Sequence, residues 1–153
     1  MAIFRYRMQN ILNIKEKLEE QEKHNFADKK RLLNAEEEKL AIIKAQQEQL
    51  ELQARQIRKE KLNILELKEN TAAREYVDEQ VKGQLLKVRI AEKNLESARM
   101  RLQRATQERK IHEKLREHAF DDFMKEEGQK EAKEIDQLTS YTHSVKDKEK
   151  EQG

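Results

Sequence analysis

Apolar residues recur every seven positions along most of this chain, and charged residues fill most of the places between them. The first half carries two such series, separated by an offset: Phe4, Ile11, Leu18, Asn25 and Leu32, then Ile43, Leu50, Ile57 and Ile64. The second half carries two interleaved series: Val81, Val88, Leu95 and Leu102, with Ala91, Ala98, Ala105, His112 and Ala119. Heptad series of this kind are the a and d positions of a coiled coil, so the pattern predicts two long helices. An offset changes the supercoil locally without ending a helix.

The stretch LKENTAAREY, residues 67–76, lies between the two halves. Within it, Asn70 and Thr71 are the best pair in the middle of the chain for ending one helix and capping the next. A turn there predicts that residues whose numbers add to about 141 or 142 face each other across the seam. Ile43 would then meet Ala98, and large side chains would pack against small ones.

The same folding back predicts the charge pattern beside the seam. The acidic run at residues 36–38 would fall near Arg101 and Arg104, so that opposite charges flank the contact. Leu18 would meet Phe123, and Phe4 would meet Leu138.

The predicted fold class is therefore all-α, a long antiparallel two-helix coiled-coil hairpin. We expect a single α-hairpin over residues 1–141, with arms at about 3–69 and 72–138 and a length on the order of 100 Å. Residues 142–153 have almost no apolar content and are predicted to be a disordered tail. A parallel dimer of one continuous helix would use the same repeat, and an antiparallel dimer would reproduce the large-to-small match, so both stay open.

Composition supports long helices over a globule. The 153 residues are 42% charged and 35% hydrophobic, with three Gly and no Pro, Cys or Trp. Such a mixture is typical of coiled coils, and a net charge of only +2 argues against disorder. We see no signal peptide in the opening MAIFRYRMQN and no run of the ~20 apolar residues that a membrane span needs, so we expect a soluble, cytoplasmic protein.

The segment IHEKLREH, residues 111–118, resembles a zinc-protease helix only superficially. Its two histidines, His112 and His118, are six residues apart and lie ~120° apart around a helix, whereas two ligands on one face need a spacing of four. We interpret His112 as a neutral side chain in the seam and His118 with Asp121 or Asp122 as an ordinary surface pair. The three glycines are isolated, and a two-helix rod encloses no pocket. We therefore predict no catalytic residues, no metal, no cofactor and no enzymatic activity.

Basic residues are concentrated between positions 84 and 110, where eight Lys or Arg stand against three Glu. Such a stripe could bind nucleic acid or anionic lipid. No aromatic residue interleaves with it, so base stacking is not offered. The sequence favours a solvated face that the opposite arm partly neutralises, and no nucleic-acid partner.

Two stretches carry more apolar residues than a seam requires. They are IFRYRMQNILNI near the start and ERKIHEKLREHAFDDFM late in the chain, and the hairpin would place both in the same half of the molecule. This excess predicts either a partner protein that receives the paired ends or a local thickening of the seam. Tyr76 and Val77 lie beside the predicted turn, where a second partner could bind.

Three stretches resemble the flagellar export protein family FliJ. They are the opening F-R-Y-R-M-Q-N-I-L-N-I-K-E, the stretch A-T-Q-E-R-K-I-H-E-K-L-R-E from Ala105 to Glu117, and K-E-A-K-E-I-D-Q with Lys133 and Asp136. In the second stretch, Arg109, Lys110, Glu113, Lys114 and Leu115 match the family's basic and leucine-containing signature. His112 stands where that family usually has leucine, and Gln137 stands where an acidic residue is common.

The resemblance implies a cytoplasmic component of the flagellar type III export apparatus at the cytoplasmic face of the flagellar base. Its partners would be the hexameric ring of the export ATPase, the cytoplasmic region of the export gate and substrate chaperones, with the membrane reached only through partners. The mechanism it implies is that of an asymmetric shaft whose unequal contacts bias the states of the ring.

By the same analogy, two sets of residues would contact these partners. The ATPase-binding residues would be Phe4, Met8, Ile11, Arg109, Lys110, Leu115 and Phe120. The export-gate-binding residues would be Tyr76 and Val77.

The alternatives to this function are a scaffolding coiled coil without enzymatic activity and a basic helix that binds nucleic acid or a membrane surface.

Overall fold

The structure, a computed structural model, describes residues 2–61 and 63–152. Helix α1 spans Gln9–Lys59 and helix α2 spans Ile64–Glu151. No β-strand occurs in these described ranges. Side chains of the two helices meet in antiparallel order, so the predicted all-α two-helix hairpin fold is confirmed.

The contacts divide the chain into two compact units. The turn unit consists of Leu18–Ala105 and contains the connection between α1 and α2. The terminal unit consists of the residues up to Lys17 together with those from Thr106 onward. The single-domain organisation expected from the sequence stays a prediction.

The connection between the helices lies earlier than the sequence analysis placed it. It falls between Lys59 and Ile64. Asn63 caps α2, because its Oδ1 accepts a hydrogen bond of 3.1 Å from the backbone N–H of Leu65. Glu66 lies in the first turn of α2, and the last turn of α1 carries two basic side chains, so both helix dipoles are complemented.

The predicted turn at Asn70 and Thr71 is therefore wrong, since both residues lie inside α2. Asn70 is buried, and its Nδ2 donates to the backbone carbonyl of Leu50 at 3.1 Å. Thr71 donates its hydroxyl hydrogen to the carbonyl of Leu67, one turn earlier in the same helix, at 2.8 Å. Residues that often cap helices here donate hydrogen bonds to carbonyls within α2 and across to α1.

Two side-chain amides define the register of the turn unit. Besides the bond from Asn70, Gln84 Nε2 donates to the backbone carbonyl of Glu36 at 3.0 Å and to its carboxylate at 2.5 Å. In both contacts the residue numbers add to 120. The predicted sum of about 141 is thus wrong by about three heptads. Ile43 does not lie level with Ala98, and the acidic run at 36–38 does not lie level with Arg101 and Arg104.

The seam of α1 follows one unbroken heptad pattern. Its covered positions include Leu12, Glu19, Phe26, Leu33 and Leu40. Leu18 and Leu32, which the sequence analysis placed on the seam, are 42% and 49% exposed. The predicted offset arose because charged residues such as Glu19 occupy seam positions, where their aliphatic stems are covered.

The seam of α2 agrees with the sequence prediction. Val88, Ala91 and Ala98 are buried, and Leu95 and Leu102 are half-buried. The buried positions continue this pattern upstream through Gln84, Val77 and Asn70. No large side chain of the described residues is fully enclosed, as a core only two helices thick requires.

The far end of α2 departs from the predicted disordered tail. The helix extends to Glu151, and residues 128–152 are all exposed. No Pro interrupts it, and Gly128 and Gly153 are the only glycines of the region. Closely spaced Lys and Glu residues favour helix here, as in the Lys130–Glu127 pair at 4.0 Å.

Candidate partner-binding surface

An aromatic cluster forms the centre of the terminal unit. The ring of Phe4 meets the ring of Phe120 edge to face, with centroids 5.2 Å apart, and it meets Phe123 at 5.4 Å. Phe4 lies in the non-helical segment before α1, which reaches α1 through hydrogen bonds such as that from the Gln9 N–H to the Tyr6 carbonyl at 3.2 Å. These ring contacts hold the start of the chain against α2.

Beside the rings lies an open groove of about 520 Å³. It is lined by three apolar residues and five polar ones: Phe4, Leu12 and Phe120, with Gln9, Glu16, Glu113, Arg116 and Glu117. We call the carboxylates of Glu16, Glu113 and Glu117, which have the cation of Arg116 among them, the acidic wall. Apolar residues beside a net negative charge suit a partner that inserts an apolar side chain and brings a cation with it.

Two ion pairs lie next to this groove, one between the helices and one within α2. Lys15 of α1 donates to Glu108 of α2 at 2.9 Å, and the contact is partly buried. Arg109 pairs with Glu113, one turn further along α2, at 2.8 Å. Arg109 therefore orders the acidic wall, and its guanidinium is already engaged.

The terminal unit exposes several large apolar side chains beside its aromatic cluster. Met8 is 45% exposed, Ile111 58%, Leu115 46%, Phe120 45% and Met124 54%. Ile111 and Leu115, four residues apart, lie on one side of α2, and Phe120 and Met124, also four apart, lie on another. Exposed apolar side chains of this kind are typical of sites that a partner covers.

All seven predicted ATPase-binding residues belong to the terminal unit. Met8, Lys110, Leu115 and Phe120 are exposed, and Ile11 is half-buried. Phe4 is also half-buried and shapes the surface through Phe120. The two ends of the chain thus bring the predicted set into one compact unit.

The two predicted gate-binding residues lie elsewhere, in the turn unit, and the reason for choosing them was wrong. Tyr76 and Val77 are well inside α2, away from the connection before Ile64. Val77 is only 7% exposed because it lies in the seam, whereas Tyr76 is 66% exposed. The apolar side chains beside the actual turn are Ile64 and Leu65, exposed by 67% and 65%.

Two residues of the site were not among the binding residues predicted from the sequence. Phe123 contacts Phe4, and Glu113 both pairs with Arg109 and lines the groove. The spacing of four between Arg109 and Glu113 was a usable signal for their pairing. The Phe4–Phe123 contact was hidden, since it depends on the register.

Histidine and acidic residues of the described ranges form no metal site. Over residues 2–61 and 63–152, no three His, Asp or Glu side chains are grouped to hold a metal ion. His112 lies half-buried on the seam, and its Nδ1 is covered without a hydrogen-bond partner. Neither helix, over the same residues, offers a stretch apolar and long enough to span a bilayer.

The sequence matches the profile of the flagellar FliJ protein family over residues 4–148. The chain belongs to the FliJ family. Among solved structures, it resembles the Chlamydia trachomatis protein CT670, described as a YscO homologue. The two are 26% identical with a TM-score of 0.56, and the match covers 94% of this chain and 97% of that one. No curated protein matches the chain at a significant level.

The two comparisons agree with the resemblance seen in the sequence. A FliJ-family chain with the fold of a YscO homologue is a component of a type III protein export apparatus.

Proposed function

We propose that this FliJ-family chain acts as a non-enzymatic stalk that binds the hexameric export ATPase at the cytoplasmic face of the flagellar base. Binding would promote assembly and activity of the ring, and the chain would link the ring to the export gate and to substrate chaperones. The observation that carries this proposal is the aromatic cluster of the terminal unit, because its surface remains exposed although its rings are already packed.

The shape of this surface supports insertion into a ring. Phe4 and Phe120 anchor the non-helical start of the chain against α2, so the apolar side chains are held in place before binding. Preorganisation of this kind lowers the entropic cost of association. Leu115 and Phe120 then supply apolar contact, and the acidic wall at Glu113 and Glu117 supplies charge.

The surface is also asymmetric, which a stalk that biases the states of a ring requires. One part carries the groove with its acidic side chains, and another side of α2 carries Ile111 and Leu115, which are 58% and 46% exposed. Ring subunits that contact different parts would be stabilised to different extents, and only such a difference can shift their populations.

For the export gate, we propose contact through exposed side chains of the turn unit. Tyr76 remains a candidate, since its side chain is 66% exposed. Val77 would act indirectly, as a seam residue that holds α2 in place. Ile64 and Leu65 join the candidates because they are exposed beside the turn.

Stimulation of the export ATPase tests the proposal. Leu115→Asp should abolish most of the stimulation, because placing a charge at the centre of an apolar interface costs about 2 kcal/mol or more of binding free energy. Leu52→Asp is the matched control, since Leu52 is an exposed leucine of the turn unit (55%) and should leave stimulation unchanged. Circular dichroism should show equal helicity for both variants. Full stimulation by Leu115→Asp would contradict the proposed surface.

A further inference from the structure

The face of α2 that points away from α1 in the turn unit carries its own apolar line. Leu86, Ile90 and Met100 are each 59% exposed. Their spacings of four and ten residues place them on one side of the helix, roughly opposite the buried seam residues Val88 and Ala91. A shallow groove of about 450 Å³ runs along this face and is lined by α2 residues only, among them the acidic Glu92 and Glu96 as well as the basic Arg89 and Lys93.

Basic side chains surround this line. They are Lys87, Arg89, Lys93, Arg101 and Arg104, all exposed, and none forms an ion pair within the described part of the chain. Arg99 differs, since it donates to Glu96 at 2.6 Å, and this hydrogen bond lowers the pKa of the Glu96 carboxyl. We call these five cations, with Leu86, Ile90 and Met100, the cationic stripe.

In the observed register, the acidic run at 36–38 of α1 does not neutralise the cationic stripe. The register predicted from the sequence would place the acidic run at 36–38 near Arg101 and Arg104, where it would neutralise them. Instead, Glu36 accepts a hydrogen bond from Gln84 and lies 3.8 Å from Lys39 of its own helix. Glu19, which this register places level with Arg101, is buried in the seam and pairs with Lys23 at 3.3 Å.

We propose that the cationic stripe binds an anionic phospholipid surface, with α2 lying along the surface in this region. Lys and Arg side chains within about 10 Å of an anionic membrane are attracted to it, and apolar side chains among them can enter the headgroup region. The stripe lies on the outward face of a single helix. Its groove is shallow, so the stripe offers no deep pocket for a peptide. A broad, deformable anionic surface fits such a shape better than a folded partner does.

Three apolar side chains bury little area, so charge provides most of the attraction. Binding is therefore weak, strongly dependent on salt and dependent on the fraction of anionic lipid. Direct binding to lipid goes beyond the prediction from the sequence, in which the chain reaches the membrane only through its partners.

Sedimentation with lipid vesicles tests this proposal. The full chain should bind vesicles of phosphatidylcholine mixed with phosphatidylglycerol in low salt, and it should not bind vesicles of phosphatidylcholine alone. The triple variant Arg89→Gln, Lys93→Gln, Arg104→Gln should lose about tenfold or more of this affinity. A control that removes the same charge from exposed positions of α1, Lys30→Gln, Lys44→Gln, Arg55→Gln, should retain most of it.

The apolar part of the stripe has its own variant, Leu86→Ser with Ile90→Ser. Both side chains are exposed, so folding should be unaffected, while the affinity for mixed vesicles should fall several-fold at unchanged charge.

Two outcomes would overturn the proposal. Equal losses in the stripe variant and the α1 control would show attraction by net charge alone. Stripe-dependent binding to poly-L-glutamate or to a short DNA duplex, without binding to mixed vesicles, would assign the stripe to an acidic protein or to nucleic acid.

Discussion

In the turn unit, small and amide side chains line the seam between α1 and α2, whereas in the terminal unit aromatic rings meet. Ala54, Ala91 and Ala98 are buried in the turn unit, and Asn70 and Gln84 bond to carbonyls of the opposite helix. In the terminal unit, Phe4 packs against two rings and large apolar side chains remain exposed.

This difference reflects two requirements on a long two-helix protein, a fixed register between the helices and a surface that recognises a partner. A heptad repeat looks the same after a shift of seven residues, so apolar packing alone does not fix which residues face each other. A buried amide does, because a shift would leave it without its hydrogen bond. The turn unit meets this first requirement, and the exposed apolar surface of the terminal unit is suited to the second, recognition of a partner.

The close packing in the turn unit can be broken most severely at Ala98. Ala98→Glu puts a charge at a position that is 2% exposed, and we expect a loss of about 3 kcal/mol in the free energy of unfolding. Ala132→Glu, at an exposed position of the same helix, should have almost no effect. Urea unfolding followed by circular dichroism measures both, and equal midpoints would show that Ala98 is not enclosed in a seam.

The aromatic contacts of the terminal unit should be local. Phe4→Ala removes two ring contacts, each contributing about 0.5–1.5 kcal/mol, and should destabilise the terminal unit by about 2 kcal/mol. Hydrogen exchange should then accelerate near Phe123 and remain unchanged near Gln84. Phe26→Ala, at a half-buried position of the turn unit, should give the reverse pattern. Equal acceleration everywhere in both variants would remove the distinction between the units.

The smallest effect concerns the helix start in the turn unit. Asn63→Ala removes the cap of α2 and should cost about 1 kcal/mol. Thr71→Ala should cost nothing or stabilise the helix by a few tenths of a kcal/mol, because alanine is the better residue inside a helix. Thermal unfolding distinguishes them, and a larger loss at Thr71 would restore the turn predicted from the sequence.

The sequence predicted which residues of α2 lie in the seam better than it predicted which residues of α1 face them. Val88, Ala91, Leu95, Ala98 and Leu102 lie where their spacing placed them. Spacing reports which side of a helix is covered, and this information is local. Which residues face each other depends instead on the register. Matching large side chains against small ones favoured a register displaced by about three heptads. A shift by whole heptads keeps every seam position on the seam, so this match could not reveal the error.

The turn was mispredicted for a related reason. Asn63 with Glu66 three residues later is a capping signal, yet Asn70 followed by Thr71 looked stronger in isolation. Asn70 is instead a buried seam amide, and nothing local distinguishes an asparagine that ends a helix from one that bonds across it. The terminal unit was easier to predict, because the excess of apolar residues at both ends of the chain is visible without knowledge of the register.

The central claim is that the chain folds back before Ile64 and that residues whose numbers add to about 120 face each other in the turn unit. Distances between spin labels test it directly, and the chain has no native cysteine to interfere. Labels at Lys44 and Gln80, diluted with unlabelled protein, should lie within about 6 Å of each other along the helix axis, since this register places residue 76 opposite Lys44. Labels at Lys44 and Ser97 should be separated by about 32 Å along the same axis. A short distance between positions 44 and 97, with a long one between 44 and 80, would contradict the account.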